Sequence, residues 1–129
     1  MLLSRASEAA LKALPHLDPR GPEGPGREAR ALALACGEPA PFLGKVLQKL
    51  ARAGLLRSKR GRTGGFVLGR PAAEITLGDI VLAVEGAESL ETLFAVPGGP
   101  AGAFLAPSAD ELATRLRETT LARVRRAST

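Results

Sequence analysis

Lys45, Gln48, Lys49 and Arg52 stand at steps of i, i+3, i+4 and i+7, so on a helix they form one polar stripe. Leu43, Val46, Leu47 and Leu50 fall on the opposite side. Such a stripe carries the donors and acceptors that read double-stranded DNA. Lys bonds the acceptors of guanine, Gln pairs twice with adenine, and the remaining cations neutralise phosphates. A solvated helix face has the same composition, so the stripe by itself leaves both readings open. The surrounding charge weighs toward nucleic acid. Between Pro39 and Ala73 lie eight cations (Lys45, Lys49, Arg52, Arg57, Lys59, Arg60, Arg62 and Arg70) and no acid. From Pro71 to Gly99 the pattern reverses, with Glu74, Asp79, Glu85, Glu88 and Glu91 and no Lys or Arg. A net charge of +5 is thus concentrated on one part of the molecule.

The elements that must position this stripe can be read from capping and periodicity. Residues 2–14 place Leu3, Ala6, Ala10, Ala13 and Leu14 on one helical face. Residues 18–26 hold three Pro and three Gly and read as a loop free to move. Arg27 to Cys36 is Ala- and Leu-rich and closes at Gly37, where a left-handed C-cap fits. A third helix runs from Pro41, tolerated in a first turn, to Ala53, and Gly54 stops it. Leu55 to Arg60 and Phe66 to Leu68 flank Gly61-Arg62-Thr63-Gly64-Gly65 as a β-hairpin with a basic tip. Arg57, Lys59, Arg60 and Arg62 suit a wing on the DNA backbone or minor groove, and Gly61, Gly64 and Gly65 would allow close approach. Charge that guards an exposed hairpin edge is the alternative. Thr76 and Asp79 form a capping box, with Ile75 and Ile80 as a hydrophobic staple, opening a fourth helix that ends near Val84. Residues 86–107 read as irregular. Ser108 to Glu111 reads as a second capping box ahead of a terminal helix reaching about Arg125.

Other chemistry finds little support. The single cysteine, Cys36, cannot make an internal disulfide or a cysteine cage for zinc or an iron–sulfur cluster, and it reads as a small buried hydrophobe. His16 has no companion ligand. The acids between 74 and 91 have no histidine or nucleophile beside them, so no catalytic set is expected and the chain reads as no enzyme. Gly64-Gly65 lacks the Lys-Ser or Lys-Thr of a phosphate loop. No apolar run approaches a membrane span, and the N-terminus lacks a secretory pattern, which implies a cytoplasmic protein without membrane partners. With 129 residues, the chain has the length of one domain.

Two helices joined at Gly37 and followed by a two-stranded ribbon are the parts of a winged helix-turn-helix. Pro41 to Leu56, then Arg60-Gly61 to Gly64-Gly65-Phe66, then Glu74-Ile75-Thr76-Leu77-Gly78-Asp79-Ile80-Val81, resemble the Rrf2 family of bacterial regulators, the IscR-, NsrR- and CymR-like winged-helix repressors. Thr119-Thr120-Leu121 is similar to the family's long C-terminal helix. The resemblance implies that this helix pairs across a twofold axis, that the third helix is the recognition helix, and that Phe42 is the family's aromatic residue at its start. Two departures accompany it. Cluster-binding members carry three cysteines after the fourth helix, whereas Glu88 to Phe104 contains none, so an iron–sulfur cluster is not expected, nor any other cofactor or metal. Gly44 stands where relatives often have a longer polar side chain.

The combined expectation is an α+β, mostly helical fold: a winged-helix DNA-binding unit over 1–86, an irregular connection over 87–107 and a dimerisation helix over 108–129. The expected DNA contacts are Arg5, Pro41, Phe42, Lys45, Gln48, Lys49, Arg52, Lys59, Arg60, Arg62, Gly64 and Gly65. Ala109, Leu112, Ala113, Leu116, Thr120 and Val124 make an apolar stripe at three- and four-residue steps, and Leu112, Leu116, Thr120 and Val124 are the expected homodimer contacts. Pairing there would set two recognition helices about 34 Å apart, as a palindromic operator requires. The functional expectation is a transcriptional regulator that represses or activates by occupying its operator, repression being favoured, with an effector or protein partner left open. The rival is a winged-helix module that docks a protein through the 74–91 segment or around Leu93-Phe94 and binds no specific DNA.

Overall fold

The computed structural model describes residues 3–62 and 64–127. Met1, Leu2, Thr63 of the hairpin turn and the last two residues of the expected 108–129 unit lie outside them. Helix α1 spans Arg5–Ala13, with the Ser4 hydroxyl capping the Ser7 amide, and continues into a 3-10 turn at Leu14–His16. Helices α2 (Ala29–Cys36) and α3 (Ala40–Arg52) meet at Gly37, whose φ of 73° is the predicted left-handed cap. Strands β1 (Leu56–Lys59) and β2 (Gly65–Leu68) pair antiparallel, with Leu56 opposite Leu68 and Lys59 opposite Gly65. Helix α4 (Leu77–Glu85) opens on the Thr76–Asp79 capping box, and Ile75 and Ile80 are fully buried as the staple requires.

One core ties these elements together. Leu14, Leu32, Leu43, Leu47, Leu50 and Ile80 are inaccessible to solvent, each contributing about 1.5–3 kcal/mol on burial. Helix α3 therefore lies against α1, α2 and α4 along its Leu/Val face, which fixes the rotation of its opposite face outward.

Four expectations are corrected. The 18–26 segment is held, not free. Asp18 accepts from the guanidinium of Arg20 and, secondly, from its backbone amide, which together hold its carboxyl at about 2, and a 3-10 turn spans Gly21–Glu23. A Cβ at Gly24 would lie 2.4 Å from the Asp18 carboxyl carbon, so glycine there is a packing requirement. Arg27, expected to start α2, instead makes an isolated bridge with Phe66 through two backbone bonds of 3.0 and 2.8 Å, adding a third edge to the wing sheet.

The connection is not irregular. Helix α5 (Leu90–Leu93) starts at a Ser89 cap, and helix α6 runs from Gly99 to Glu118 with Pro107 inside it. Ser108 and Glu111 consequently sit in mid-helix and cap nothing. Pro100 is suited to a first turn, and Ala101, Ala103 and Ala106 are strong helix formers. Pro107 has no amide hydrogen to donate to the Ala103 carbonyl, but both residues are exposed, so the carbonyl is open to solvent and its loss of a helical partner is tolerated.

The terminal helix is also not continuous. Thr119 is extended (φ −100°, ψ 118°), and the chain pairs there with the segment before α4: Leu77 N donates to Thr119 O at 2.8 Å and Leu121 N to Ile75 O at 2.9 Å. Helix α7 (Leu121–Ala127) then packs on the 3-10 turns Leu14–His16 and Ala72–Glu74. Two backbone bonds to a neighbouring segment outweigh continuation of one helix. The expected dimerisation stripe is therefore dispersed. Leu116 is buried under its own chain in a cluster with Val81, Leu90, Phe94 and Ala113. Thr120 forms the bridge with Thr76, and Val124 is half-buried on α7. Leu112 alone of the four expected contacts is exposed, at 40%.

Candidate nucleic-acid interface

With Leu43, Val46, Leu47 and Leu50 buried, the next positions of α3 turn to solvent: Lys45, Gln48, Lys49 and Arg52 are all exposed. Pro41 is exposed in the first turn, and Phe42 is half-buried against the core. The Arg5 guanidinium carbon lies 5.0 Å from the Phe42 ring centroid, within cation–π range. Gly44 sits on the same side, and a Cβ there would meet nothing within 4 Å. The helix thus presents an uncluttered polar face with its cationic end near the wing.

On the wing, Arg57, Arg60 and Arg62 are exposed. Among the described residues, none of Lys45, Lys49, Arg52, Arg57, Arg60 or Arg62 is in an ion pair. These six charges form the basic surface that the acid-free window implies. Two other cations of that window serve the fold instead. Arg70 donates to the Glu74 carbonyl at 2.8 Å and to Asp79 at 3.1 Å. Lys59, expected to contact DNA, is half-buried and its Nζ donates to the carbonyls of Gly24 at 2.8 Å and Pro22 at 3.4 Å. It fastens the 18–26 segment to the hairpin.

The hairpin glycines are likewise committed internally. A Cβ on Gly64 would fall 2.4 Å from the Lys59 carbonyl oxygen, and one on Gly65, at φ 114°, 2.4 Å from the Arg27 carbonyl carbon and oxygen. Close backbone approach does require glycine here, but the approaching backbone is the chain's own.

Two polar clusters escaped the sequence reading. Glu85, the last residue of α4, accepts from the hydroxyls of Ser4 and of Ser7 (2.5 Å), the latter fully buried; the Ser4 bond above all, then that of Ser7, and more distantly Lys49, hold its carboxyl below the usual range. Glu38 accepts from Arg5 and Lys12. The i, i+7 spacing of Arg5 and Lys12 on α1 was the available signal, since it puts both cations on one face seeking one partner.

A helix pair with an outward cationic second helix, followed by a ribbon with a basic tip, defines a winged helix-turn-helix protein. The class narrows on comparison with known families. The model of Rrf2, described as an iron-dependent transcriptional regulator, matches residues 3–127, and the chain belongs to that family. Its family and fold are those of transcriptional regulators. Among solved structures it is similar to CymR of B. subtilis, titled the global cysteine regulator, at 27% identity over 98% of each chain with a TM-score of 0.78. It is also similar to oxidised CymR of Staphylococcus aureus, at 30% identity over 97% of this chain and 96% of that one, TM-score 0.75. Protein aau3 of Rhizobium meliloti is 48% identical over 63 residues, 49% of this chain and 41% of that protein. The chain spans about half the length of the curated relatives it matches.

The family's description implies iron, and the donor set here does not fit an iron–sulfur cluster. Cys36, the only thiol, lies half-buried at the end of α2, and His16 is on the 3-10 turn after α1. Among the described residues no three His, Cys, Asp or Glu side chains converge as a metal site would need. No described helix is long and apolar enough to cross a membrane.

Proposed function

We propose that the chain is a cluster-free transcriptional regulator of the cytoplasm that binds a palindromic operator as a homodimer and represses by occupying it. The observation that carries this reading is the set of six exposed cations on α3 and the wing, none of them in an ion pair among the described residues, beside Gln48 on the same helix face. Base reading falls to Lys45, Gln48, Lys49 and Arg52, and backbone contact to Arg5, Arg60 and Arg62. The test is to select genomic fragments with the purified protein and measure variants on them. Lys45→Ala or Arg52→Ala is expected to weaken binding, and Gln48→Ala to lose discrimination at one base position by about 1–3 kcal/mol. Arg60→Ala with Arg62→Ala should weaken all sequences alike and flatten the salt slope by about 0.9 for each phosphate no longer neutralised. Unchanged affinity and salt slope throughout would instead favour a module that docks a protein partner.

A cluster-free regulator has a simple optical consequence. Protein purified without oxygen should be colourless, because a single thiolate fills at most one ligand position of a cluster. Visible absorption with stoichiometric iron and sulfide would refute this part of the proposal.

We assign the homodimer contact to the stretch of α6 from Phe104 to Leu112. Phe104, Leu105 and Leu112 are exposed at 89, 53 and 40%. Leu105, Ala109 and Leu112 follow i, i+4 and i+7, and with Phe94 and Val96 they line a cavity of about 230 Å³. An apolar helix face beside such a groove suits a second copy of the same helix across a twofold axis.

A further inference from the structure

Glu38 is an acid placed where a DNA-binding surface can least accommodate one. It follows Gly37 in the turn between α2 and α3, immediately before the recognition helix. Its side chain is 5% exposed, and its carboxylate accepts from Arg5 Nη2 at 3.0 Å and from Lys12 Nζ at 2.7 Å. A negative charge near approaching phosphates is unfavourable unless it is neutralised and does something in return. Lys12 supplies the neutralisation: its hydrogen bond, more than any other contact, holds the Glu38 carboxyl below the usual range.

What the carboxylate does in return is shown by Arg5. An unrestrained arginine on the first turn of a helix samples many rotamers, and ordering it on binding costs conformational entropy. Here one edge of the guanidinium is bonded to Glu38 while its carbon stands 5.0 Å over the centroid of Phe42, at the start of α3. The Arg5 side chain remains 65% exposed, so its outer edge is open. A guanidinium carries five donors in a rigid fork, and bonding one edge orients the rest. Lys12 already pairs the Glu38 carboxylate at 2.7 Å, and the Arg5 side chain is largely exposed, so holding the fold together does not by itself account for the second contact.

We infer that Glu38 is a positioning residue for DNA binding: it fixes the Arg5 guanidinium against Phe42 so that the outer edge meets a backbone phosphate at the N-terminal end of the recognition helix. The inference rests on the DNA-binding reading. Its use is to present one phosphate contact with the ordering cost already met, at the end of α3 opposite to Arg52.

The sign of the effect separates positioning from bulk charge. Glu38→Gln raises the net charge from +5 by one, and a surface governed by bulk charge would bind DNA more tightly. Positioning predicts the reverse. The probes are a genomic duplex selected by the wild-type protein and a random duplex of equal length, titrated at several salt concentrations. Glu38→Gln should bind both roughly three- to tenfold more weakly, because the interaction it impairs is with the phosphate backbone, which every sequence shares. Arg5→Ala should flatten the salt slope by about 0.9, and in that background Glu38→Gln should change affinity less than about twofold. Tighter binding by Glu38→Gln, an equal loss with and without Arg5, or an unchanged slope in Arg5→Ala would each overturn the inference while leaving the DNA-binding reading intact. A wild-type protein that retains no duplex would overturn that reading, and this inference with it.

Discussion

Replacing Phe104 and Leu112 together with Glu is expected to leave the winged helix folded, convert the protein to a monomer and lower its affinity for a selected operator fragment by about a hundredfold or more. The size follows from bivalency. A dimer on a palindrome binds its second half-site intramolecularly, and effective concentrations of that kind raise avidity by about 10²–10⁴ over one half-site. The fold should survive because neither residue belongs to the core. Helix α6 is held through Ala113 and Leu116, which are buried against Val81, Leu90 and Phe94, while Phe104 and Leu112 lie outside that buried cluster and are exposed. Two carboxylates facing their symmetry copies across a twofold axis repel as well as remove apolar area. Sedimentation and fragment titration check the two halves of the expectation. A variant that still sediments as a dimer and holds its operator would place the interface elsewhere.

This choice of residues shows how far the sequence could lead. Local signals were legible wherever one short stretch contains its own explanation. The Thr76–Asp79 capping box with its Ile75–Ile80 staple, the Gly37 cap, and the inward and outward faces of α3 all appear where their residue types place them. Signals that depend on a distant partner were not legible. Pro97, Pro100 and Pro107 suggested an irregular connection, because a breaker is visible in the sequence while the packing that offsets it, Ala113 and Leu116 against Val81, is not. The break at Thr119-Thr120 follows from backbone pairing with Ile75 to Leu77, far back along the chain, which no helical periodicity records. Lys59 reads as one more wing cation until Pro22 and Gly24 are seen to present their carbonyls to it. Charge counting locates a basic surface but does not say which cations remain on it.

Gly65 carries the other large expected effect. It stands at φ 114°, and a Cβ there would lie 2.4 Å from the carbonyl carbon and oxygen of Arg27, the residue that bridges Phe66. Gly65→Ala meets two separate penalties: backbone strain of about 1–3 kcal/mol in a region that L side chains rarely adopt, and about 1–3 kcal/mol of overpacking against a backbone that cannot swing aside. The sum, about 2–6 kcal/mol, is a large part of a typical domain's stability and should lower the thermal midpoint by roughly 10 °C or more. Gly44→Ala supplies the contrast. Gly44 lies inside α3 with nothing within 4 Å of its added methyl, so the same substitution should stabilise the helix by about 0.5–1 kcal/mol. One glycine is therefore required by packing and the other leaves room on the outward polar face of α3. If Gly65→Ala relaxes only the Arg27–Phe66 bridge, the wing should loosen first, and Arg60 and Arg62 should lose their shared contribution to the salt slope before the core unfolds. Thermal unfolding followed by circular dichroism, with salt titrations on a random duplex, reads both effects. Equal midpoints for Gly65→Ala and the parent would show that the 18–28 segment yields to the methyl group, and that the wing does not depend on the close approach of Arg27.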